Sequence, residues 1–356
     1  MDPNNTPALY PPPGIEPNFV NPQSLQPERI AVSAIGLALC IIFVGGRIYI
    51  RVHLKMFNLD DCIHLFALAS FITYIGLIIA SGEYSDGRHQ WDVTIASFSR
   101  SLELQNISDI IYCLTMFTAK YVVLRQIELI FFDHHRNNIT YKAIWALIWV
   151  NLLFALSLGI TFIFACVPRR KIWQPNIQGR CTNSFSTVAG GSAINMVSDY
   201  AILIVPLAAV SRLQLPVAKK LRAAAVFAVG AFACAASTVR LYYTVKLFHT
   251  DDVTWAIAPV GQWTIAEFTT VFLVACFPYV PRLLHHLNER GKNTVSDSSH
   301  THTTFTSRNP PSGNRTNSGW TGLGEHGESH EVIMLDHVGG GARTPGSIEL
   351  GVTSSD

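Results

Sequence analysis

Seven runs of apolar residues, each long enough to cross a lipid bilayer, follow one another along this chain. They cover residues 30–50, 62–81, 107–131, 143–166, 187–211, 222–247 and 256–280. A spanning helix needs about 20 mostly apolar residues, because lipid offers an open backbone no hydrogen bonds. The runs lack the alternation of apolar and polar residues that is typical of membrane barrel strands. The pattern therefore predicts an all-α fold, a bundle of seven transmembrane helices.

The composition excludes several other classes of protein. Hydrophobic residues make up 49% of the chain and charged residues only 14%, whereas soluble domains carry about 25% charged residues. This charge-poor composition excludes a basic nucleic-acid binder, so we expect no nucleic-acid partner; the net charge of +2 by itself indicates nothing about partners. The seven cysteines are too scattered for a disulfide scaffold. The lipid bilayer is the partner that the composition predicts.

The two ends of the chain differ from its apolar middle. Residues 1–29 are rich in proline, which predicts an extended, disordered tail. Residues 288–356 are rich in Ser, Thr, Gly, Asn and His, which predicts a second disordered tail. Its histidines lack metal-ligand spacing, so we expect no metal site. Residues 30–287 then form the transmembrane domain.

The orientation in the membrane is predicted from the Lys and Arg residues near the spans, which are enriched on the cytoplasmic side. Thirteen lie on one side and eight on the other. The thirteen are Arg47, Arg51, Lys55, Arg125, Arg136, Lys142, Arg212, Lys219, Lys220, Arg222, Arg282, Arg290 and Lys292. This count predicts an extracytoplasmic N-terminus and a cytoplasmic C-terminus, in the plasma membrane or an endomembrane. Asn4, in Asn4-Asn5-Thr6, would then be a glycosylation acceptor.

Four charged residues lie inside the apolar runs: Lys120, Asp199, Arg240 and Glu267. A charge at mid-bilayer costs at least about 2.5–3.5 kcal/mol, so such side chains tend to face inward and pair. A rise of about 1.5 Å per residue places Arg240 roughly 10 Å deep and the other three roughly 16–20 Å deep. We therefore favour pairing of Lys120 with Asp199 or Glu267, and Arg240 could extend outward instead. The set could be purely structural or could line a functional polar pocket.

Two cysteines flank the predicted outer loop between the fourth and fifth spans. Cys166 ends the fourth span and Cys181 follows in the loop. In an oxidising compartment they could form a disulfide, worth roughly 3 kcal/mol in the chain-entropy model. Cys113, in the outer half of the third span, is the main competing partner for Cys181.

Two short loop motifs have both a structural and a functional interpretation. Asp60 and Asp61 precede the second span, where acidic side chains cap a helix and complement its dipole; they could instead contact a partner or an ion. Gly87 and His89 lie in the first outer loop together with Trp91. Gly allows a turn and Trp anchors at the membrane interface, but a ligand contact is the alternative.

Motifs from all seven spans occur together in one order. They are Arg47 and Arg51, Asp60-Asp61, Gly87-Arg88-His89, Trp91-Asp92, Cys166-Val167-Pro168, Trp173, Gly179, Cys181, Asn195, Asp199, Pro206, Ser237, Arg240, Trp255, Gly261, Trp263, Glu267, Cys276 and Pro278. In these motifs residues 30–290 resemble the fungal rhodopsin-domain integral membrane proteins. That family includes a membrane protein of the satratoxin biosynthetic cluster and seven-helix proteins linked to infection-structure formation.

The resemblance raises two questions of covalent chemistry, the pairing of the cysteines and the attachment of retinal. The outer-loop pattern of the family contains both Cys166 and Cys181, so we predict a disulfide between them. A retinal protein needs a lysine in the seventh span for its Schiff base, and no lysine lies between Lys246 and Lys292. We therefore expect no retinal and no other cofactor.

Function remains open between two classes at this point. The first is receptor-like sensing or binding of a small ligand, with a G protein as a further partner for the basic inner loops. The alternative is an intramembrane enzyme of secondary-metabolite biosynthesis that uses Glu267 or Asp199 as an acid. A transporter is less favoured, because the chain shows no internal repeat and no matched pair of broken helices. The resemblance adds an expected link to a secondary-metabolite gene cluster, but architecture alone does not carry function.

Overall fold

Seven long helices form the computed structural model, which describes residues 2–131, 139–174, 176–211 and 217–288. Each is long and apolar enough to cross a membrane, so the predicted fold class is confirmed. The helices are α1 (Gln26–His53), α2 (Leu59–Tyr84), α3 (Ile95–Phe131), α4 (Ile139–Ile163), α5 (Ser184–Ser211), α6 (Val217–Leu247) and α7 (Val253–Cys276). Two short antiparallel strands, β1 (Cys166–Val167) and β2 (Arg180–Cys181), lie between α4 and α5.

The bundle has two ends, which we name by the helices that begin there. At the N-face, α1, α3, α5 and α7 begin and the other three helices end; the C-face is the opposite end. Beyond α7, a 3-10 turn (Phe277–Tyr279) leads into a last helical stretch at residues 280–288. The predicted C-terminal tail and its histidines lie outside the described residues, apart from residue 288.

Most helix ends lie within about five residues of their predicted positions, but two differences from the prediction matter for the site. The third helix begins at Ile95 rather than at residue 107, because its first turns are too polar to register as an apolar run. The side chain of Thr94 accepts a hydrogen bond from the backbone N–H of Ser97 and so caps this early start. The fourth helix ends at Ile163, so Cys166 lies in β1 and not in the span.

The apolar core is built around α7, which packs on α2. Phe268 and Phe272 are fully buried and their rings lie 5.2 and 5.7 Å from the ring of Phe71. Side chains on the opposite surface of the bundle, such as Leu153 of α4, are largely exposed although apolar. Such a surface is unfavourable in water and suits lipid. The core therefore determines which faces of the helices are buried in the bundle.

The N-terminal segment before α1 is irregular, as its prolines predict, but it is not detached from the bundle. The backbone N–H of Ala8 donates to the carbonyl of Val93, and that of Ile95 donates to Thr6. Nearer α1, the N–H of Leu25 donates to the carbonyl of Gly87. These bonds hold the segment against the loop between α2 and α3.

Candidate functional site

The four charges predicted inside the membrane lie together in the bundle interior as two ion pairs. Lys120 Nζ of α3 is 2.7 Å from Asp199 Oδ1 of α5. Arg240 Nε of α6 is 2.6 Å from Glu267 Oε2 of α7. None of the four residues is more than 6% exposed. The pairs join four helices and neutralise all four charges.

Asn195 of α5 connects the two ion pairs. Its Oδ1 accepts a hydrogen bond of 2.8 Å from Lys120 Nζ, and its Nδ2 donates one of 2.6 Å to Glu267 Oε1. Asn195 and Asp199 are four residues apart, so they share one face of α5. We call Lys120, Asn195, Asp199, Arg240 and Glu267 the interior network. A neutral amide thus links two charged pairs without changing the balance of charge.

The direction of the side chains explains why Arg240 meets Glu267 despite the difference in predicted depth. Side chains on a helix lean toward its N-terminus. α6 begins at the C-face, so Arg240 leans toward the middle of the membrane, whereas α7 begins at the N-face, so Glu267 leans the opposite way. The two groups therefore converge. Arg240 is buried and paired, as expected for a charge that faces the interior, and it does not take the alternative of extending outward.

Hydroxyl and amide groups extend the interior network on both sides. Arg240 Nη1 donates to Ser192 Oγ at 3.1 Å. Lys120 Nζ lies 3.3 Å from Ser198 Oγ, which in turn donates to Asn151 Oδ1 of α4 at 2.7 Å. The network therefore reaches α4 through neutral groups.

A small, partly open cleft, with free space of about 10 Å³, adjoins the interior network. It lies between α3, α4 and α5 and is lined by Tyr112, Cys113, Met116, Phe117, Asn151, Phe154, Ala155, Leu158 and Asn195. Phe154, Ala155 and Leu158 are only partly buried, and Leu153 and Leu156 beside them on α4 are mostly exposed. The cleft is thus apolar on its lipid side and polar where it meets the network.

Two polar groups beside the cleft have no hydrogen-bond partner among the described residues. They are the hydroxyl of Tyr112 and Nη2 of Arg240, and both atoms are buried. The guanidinium carbon of Arg240 lies 5.3 Å from the centroid of the Tyr112 ring. Ten other buried side-chain atoms of the described residues share this state, and Arg240 itself does not line the cleft, so the pair does not by itself mark a binding place.

Asp61 belongs to a separate cluster at the C-face. Its carboxylate accepts from the backbone N–H of Asn58 at 3.1 Å, which is the capping role that was predicted. It also lies 3.3 Å from Arg47 Nη2 and 2.8 Å from Arg51 Nε. We call Arg47, Arg51 and Asp61 the C-face network. Asp60 lies apart from it, 3.7 Å from Arg125 Nε.

Gly87 and His89 form a contact between the first N-face loop and the start of α7. Gly87 adopts a φ of +83°, which favours glycine, and its N–H donates to the carbonyl of Thr254 at 2.7 Å. His89 Nδ1 lies 2.6 Å from Asp252 Oδ2. The His89 ring is stacked between Trp91 and Trp255, with centroid distances of 4.5 and 4.1 Å. Both residues thus join chain segments at the N-face, far from the interior network.

The predicted disulfide and the predicted glycosylation site also lie at the N-face. Cys166 and Cys181 form a disulfide across the β1–β2 pair, with their Cα atoms 4.0 Å apart. The competing Cys113 is a free, buried thiol that lines the cleft. Asn4 is exposed, and its glycosylation stays a prediction.

Sequence reasoning did not identify Asn151, Asn195 and Tyr112 as site residues. An asparagine or a tyrosine inside an apolar run carries no charge, and so it does not stand out by its transfer cost. The available signal was helical spacing: Asn195 lies one turn from Asp199 on the same face of α5.

The fungal rhodopsin domain family model matches residues 46–286. This range holds all of the interior network and most of the chain. The chain belongs to the fungal rhodopsin domain family. It is accordingly a multi-pass membrane protein.

Two curated relatives share much of this fungal rhodopsin domain. A SAT4 family membrane protein of Emericella nidulans is 34% identical over 226 residues, which are 64% of this chain and 57% of the relative. Fugralins biosynthesis cluster protein 2 of Gibberella zeae is 25% identical over 292 residues, which are 78% of this chain and 70% of the relative. The chain therefore spans less than two thirds of the first relative's length.

A third relative matches a shorter part of the fungal rhodopsin domain. Wortmanamides biosynthesis cluster protein C of Talaromyces wortmannii is 24% identical over 134 residues, 35% of this chain and 36% of the relative. No solved structure matches the chain. In this fungal rhodopsin domain α7 contains no lysine, so the absence of retinal stays our prediction.

Proposed function

We propose that this protein is a receptor-like membrane protein that binds a small lipid-soluble molecule in the cleft between α3, α4 and α5. The observation that carries the proposal is the double role of Asn195, which lines the cleft and also connects both ion pairs. A molecule in the cleft that displaced Asn195 would change the contacts of Lys120 and Glu267 together. Binding would thereby change contacts that join four helices, α3, α5, α6 and α7.

The route of entry supports a lipid-soluble ligand. The side chains on the outer wall of the cleft are partly buried and apolar, and the neighbouring α4 residues face lipid. Ligand sites are typically lined by apolar side chains with a few well-placed polar groups. The lining of this cleft is of that kind, and a ligand would enter by moving α4 away from α3 and α5, since the free space is about 10 Å³. A molecule dissolved in the bilayer could reach the cleft without crossing water.

The alternative function, an intramembrane enzyme with Glu267 or Asp199 as the acid, has less support. Both carboxylate oxygens of Glu267 accept hydrogen bonds, one from Asn195 and one from Arg240. Asp199 is engaged by Lys120 and Asn195. A cationic partner favours the ionised form of a carboxylate, whereas a general acid must carry a proton. Neither carboxylate lines the cleft.

The biological setting that we propose comes from the relatives. Two of them are named as biosynthesis cluster proteins, so the ligand of this chain would be a secondary metabolite. On the C-face, basic residues near the helix ends could meet a G protein, as the sequence suggested. Both points are proposals that follow from binding in the cleft.

Retention of small molecules by the purified protein tests the proposal. Protein produced in a fungal host that makes secondary metabolites would be purified in detergent, and its bound molecules identified by mass spectrometry. We expect Ala155→Phe, which fills the cleft, to lose a compound that the wild type retains. Leu153→Phe is the matched control, because Leu153 is 64% exposed on the lipid side of the same helix. Equal retention by all three proteins would contradict cleft binding.

The orientation that we propose places the N-face outside the cytoplasm and the C-face inside. Protease added to sealed, outward-facing vesicles should leave a C-terminal epitope tag intact. Asn4→Gln should remove a glycosidase-sensitive mobility shift, because Asn4 would face the glycosylating compartment. Loss of the tag under these conditions would refute the assignment.

A further inference from the structure

We infer that the hairpin between α4 and α5 binds the headgroup of an anionic phospholipid in the leaflet at the N-face. We call residues 166–174 and 176–181 the basic hairpin; they hold β1, a 3-10 turn (Arg169–Ile172) and β2. Four of the eight basic residues counted on this side of the membrane belong to it: Arg169, Arg170, Lys171 and Arg180. The basic hairpin does not line the cleft, so lipid binding there is independent of the proposed cleft ligand.

The first support is positive charge that the protein itself does not neutralise. No Asp or Glu occurs in residues 164–198. Arg170 and Arg180 are exposed, and neither guanidinium group has an ion-pair partner within the described part of the chain. Glu103, on the stretch of α3 that contacts the basic hairpin, is already paired with Arg100. The basic hairpin thus presents two exposed cations, and an anion from outside the protein would pair with them.

The second support is the depth of the basic hairpin in the membrane. α4 has 25 residues and is about 37 Å long at the rise of an α-helix, whereas the hydrocarbon core of a bilayer is about 30 Å thick. The end of α4 at Ile163 therefore reaches the headgroup layer, and β1 begins soon after it, at Cys166. The cations of the basic hairpin consequently lie at the level of the lipid phosphates.

The third support is an apolar surface that continues from α4 into the basic hairpin. Beyond the lipid-facing Ile160 of α4, Phe164 and Val167 are 64% and 66% exposed. Val167 pairs with Arg180 across the two strands, and the side chains of directly opposite residues lie on the same face of a sheet. An exposed cation therefore lies beside an exposed apolar side chain. A phospholipid offers a phosphate to the first and acyl chains to the second, whereas a soluble acidic molecule offers only the anion.

The basic hairpin is also held in place before any lipid binds. Its disulfide joins the two strands, and Lys171 Nζ donates to the carbonyl of Gly179 at 2.7 Å. Arg169 Nη2 donates to Asn106 Oδ1 of α3 at 3.2 Å. Two of its four cations thus fix the basic hairpin, and the other two are available to a ligand. A site that is already ordered loses less entropy on binding.

Photocrosslinking in lipid nanodiscs tests the inference with the full-length protein. Phosphatidylglycerol or phosphatidylcholine, each with the same diazirine at the top of one acyl chain, would be added at equal mole fraction to nanodiscs of unlabelled phosphatidylcholine. After irradiation, labelled peptides of the basic hairpin would be quantified by mass spectrometry. Reading the label on these peptides separates the basic hairpin from the basic residues at the C-face. The measured quantity is the ratio of phosphatidylglycerol to phosphatidylcholine labelling.

We expect a ratio of at least about five, the factor that one cation near an anionic surface provides. Arg170→Gln should lower this ratio, and adding Arg180→Gln should remove most of the remaining preference. Lys246→Gln is the matched control for the single variant, because Lys246 is another exposed cation at the N-face, outside the basic hairpin; it should keep the ratio. In the wild type, raising the salt from about 0.05 M to about 0.5 M should bring the ratio toward one, because salt screens exposed charges.

Two results would overturn the inference. The first is equal labelling of the basic hairpin by the two lipids, and the second is a preference for phosphatidylglycerol that survives in the double variant. If the lipids label equally but the protein in detergent retains polyglutamate, and the double variant does not, the partner is a soluble acidic molecule instead. If the double variant does not fold, the wild-type ratio and its dependence on salt still decide.

Discussion

The interior network and the C-face network use the same ionic groups in opposite ways. In the interior, each cation has one carboxylate of its own, and Asn195 connects the pairs. At the C-face, the single carboxylate of Asp61 serves both Arg47 and Arg51. The first network is balanced, whereas the second carries one excess positive charge.

The C-face network tolerates this excess because neutral oxygens complete it. Arg47 Nη1 donates to the carbonyl of Ala275 at 2.6 Å, and Arg51 Nη1 donates to Tyr279 Oη at 2.6 Å. These acceptors come from α7 and the turn after it, so the arginines fasten α1 to the end of the chain's last span. Arg47 and Arg51 are only 3% and 4% exposed, so these protein oxygens, and not water, complete their hydrogen bonds. The difference teaches that balance of charge is required at mid-membrane and optional at its edge.

The largest expected effect is loss of one partner in the interior. Glu267→Leu leaves Arg240 buried without its anion and should lower the free energy of unfolding by about 3–5 kcal/mol. The double variant Arg240→Met with Glu267→Leu should recover most of this loss, because no unpaired ion remains. Thermal unfolding in detergent, followed by protein fluorescence, measures both. If the double variant were as unstable as the single one, the pairs would not set the stability of the interior.

A smaller effect is expected for the carboxylate of the C-face. Asp61→Asn removes both ion pairs and weakens the cap of α2, at a cost of about 2–3 kcal/mol. Asp60→Asn is the matched control, since its pair with Arg125 is longer and partly exposed, and it should cost less than about 1 kcal/mol. Equal losses in the same unfolding assay would mean that Asp61 acts only as a helix-terminal charge.

Substitution of one arginine in each network tests directly whether the two networks differ in their need for charge balance. Arg51→Met should cost about 1.5–3 kcal/mol, the range for a hydrogen bond to a charged group, because Asp61 keeps Arg47 as its cationic partner. Arg240→Met should cost about 3–5 kcal/mol, because it removes the cation that is paired with the buried carboxyl of Glu267. The thermal unfolding midpoints of the two variants, each compared with the wild type, show which loss of stability is larger. Similar losses would show that the two networks do not differ in their need for charge balance.

The sequence predicted the fold and the charged members of the site for one physical reason. The cost of placing backbone and charge in lipid is large, so apolar runs reveal the spans, and Lys120, Asp199, Arg240 and Glu267 stand out within them. Their pairing was predicted only in part, since Arg240 was not assigned to Glu267. Depth counted along a helix ignores the lean of the side chains, which brings these two together.

The cleft and the N-terminal contacts were not predictable in the same way. The cleft exists because Ala155 and Leu158 leave space opposite α3, which depends on how three helices pack and not on any one of them. The proline content of the N-terminal segment excludes a helix there. Whether that segment packs against the bundle depends on backbone hydrogen bonds to Val93 and Gly87. The amino-acid composition of the segment does not indicate such bonds.

The smallest expected effect concerns Asp86 at the N-face, where an acid is buried with a distant cation. Burial raises the pKa of Asp86 above its ordinary value, although Arg29 at 4.0 Å and the hydroxyls of Ser81 and Ser85 oppose the rise. The folded state then binds a proton that the unfolded state releases, so stability should fall as the pH rises above about 4, the ordinary pKa of aspartate, and level off above the raised pKa. Asp86→Asn should remove this fall, seen as a flatter dependence of unfolding midpoint on pH. If Arg29 instead held the pKa of Asp86 below its ordinary value, the wild type would gain stability as the pH rises toward about 4 and stay level above it.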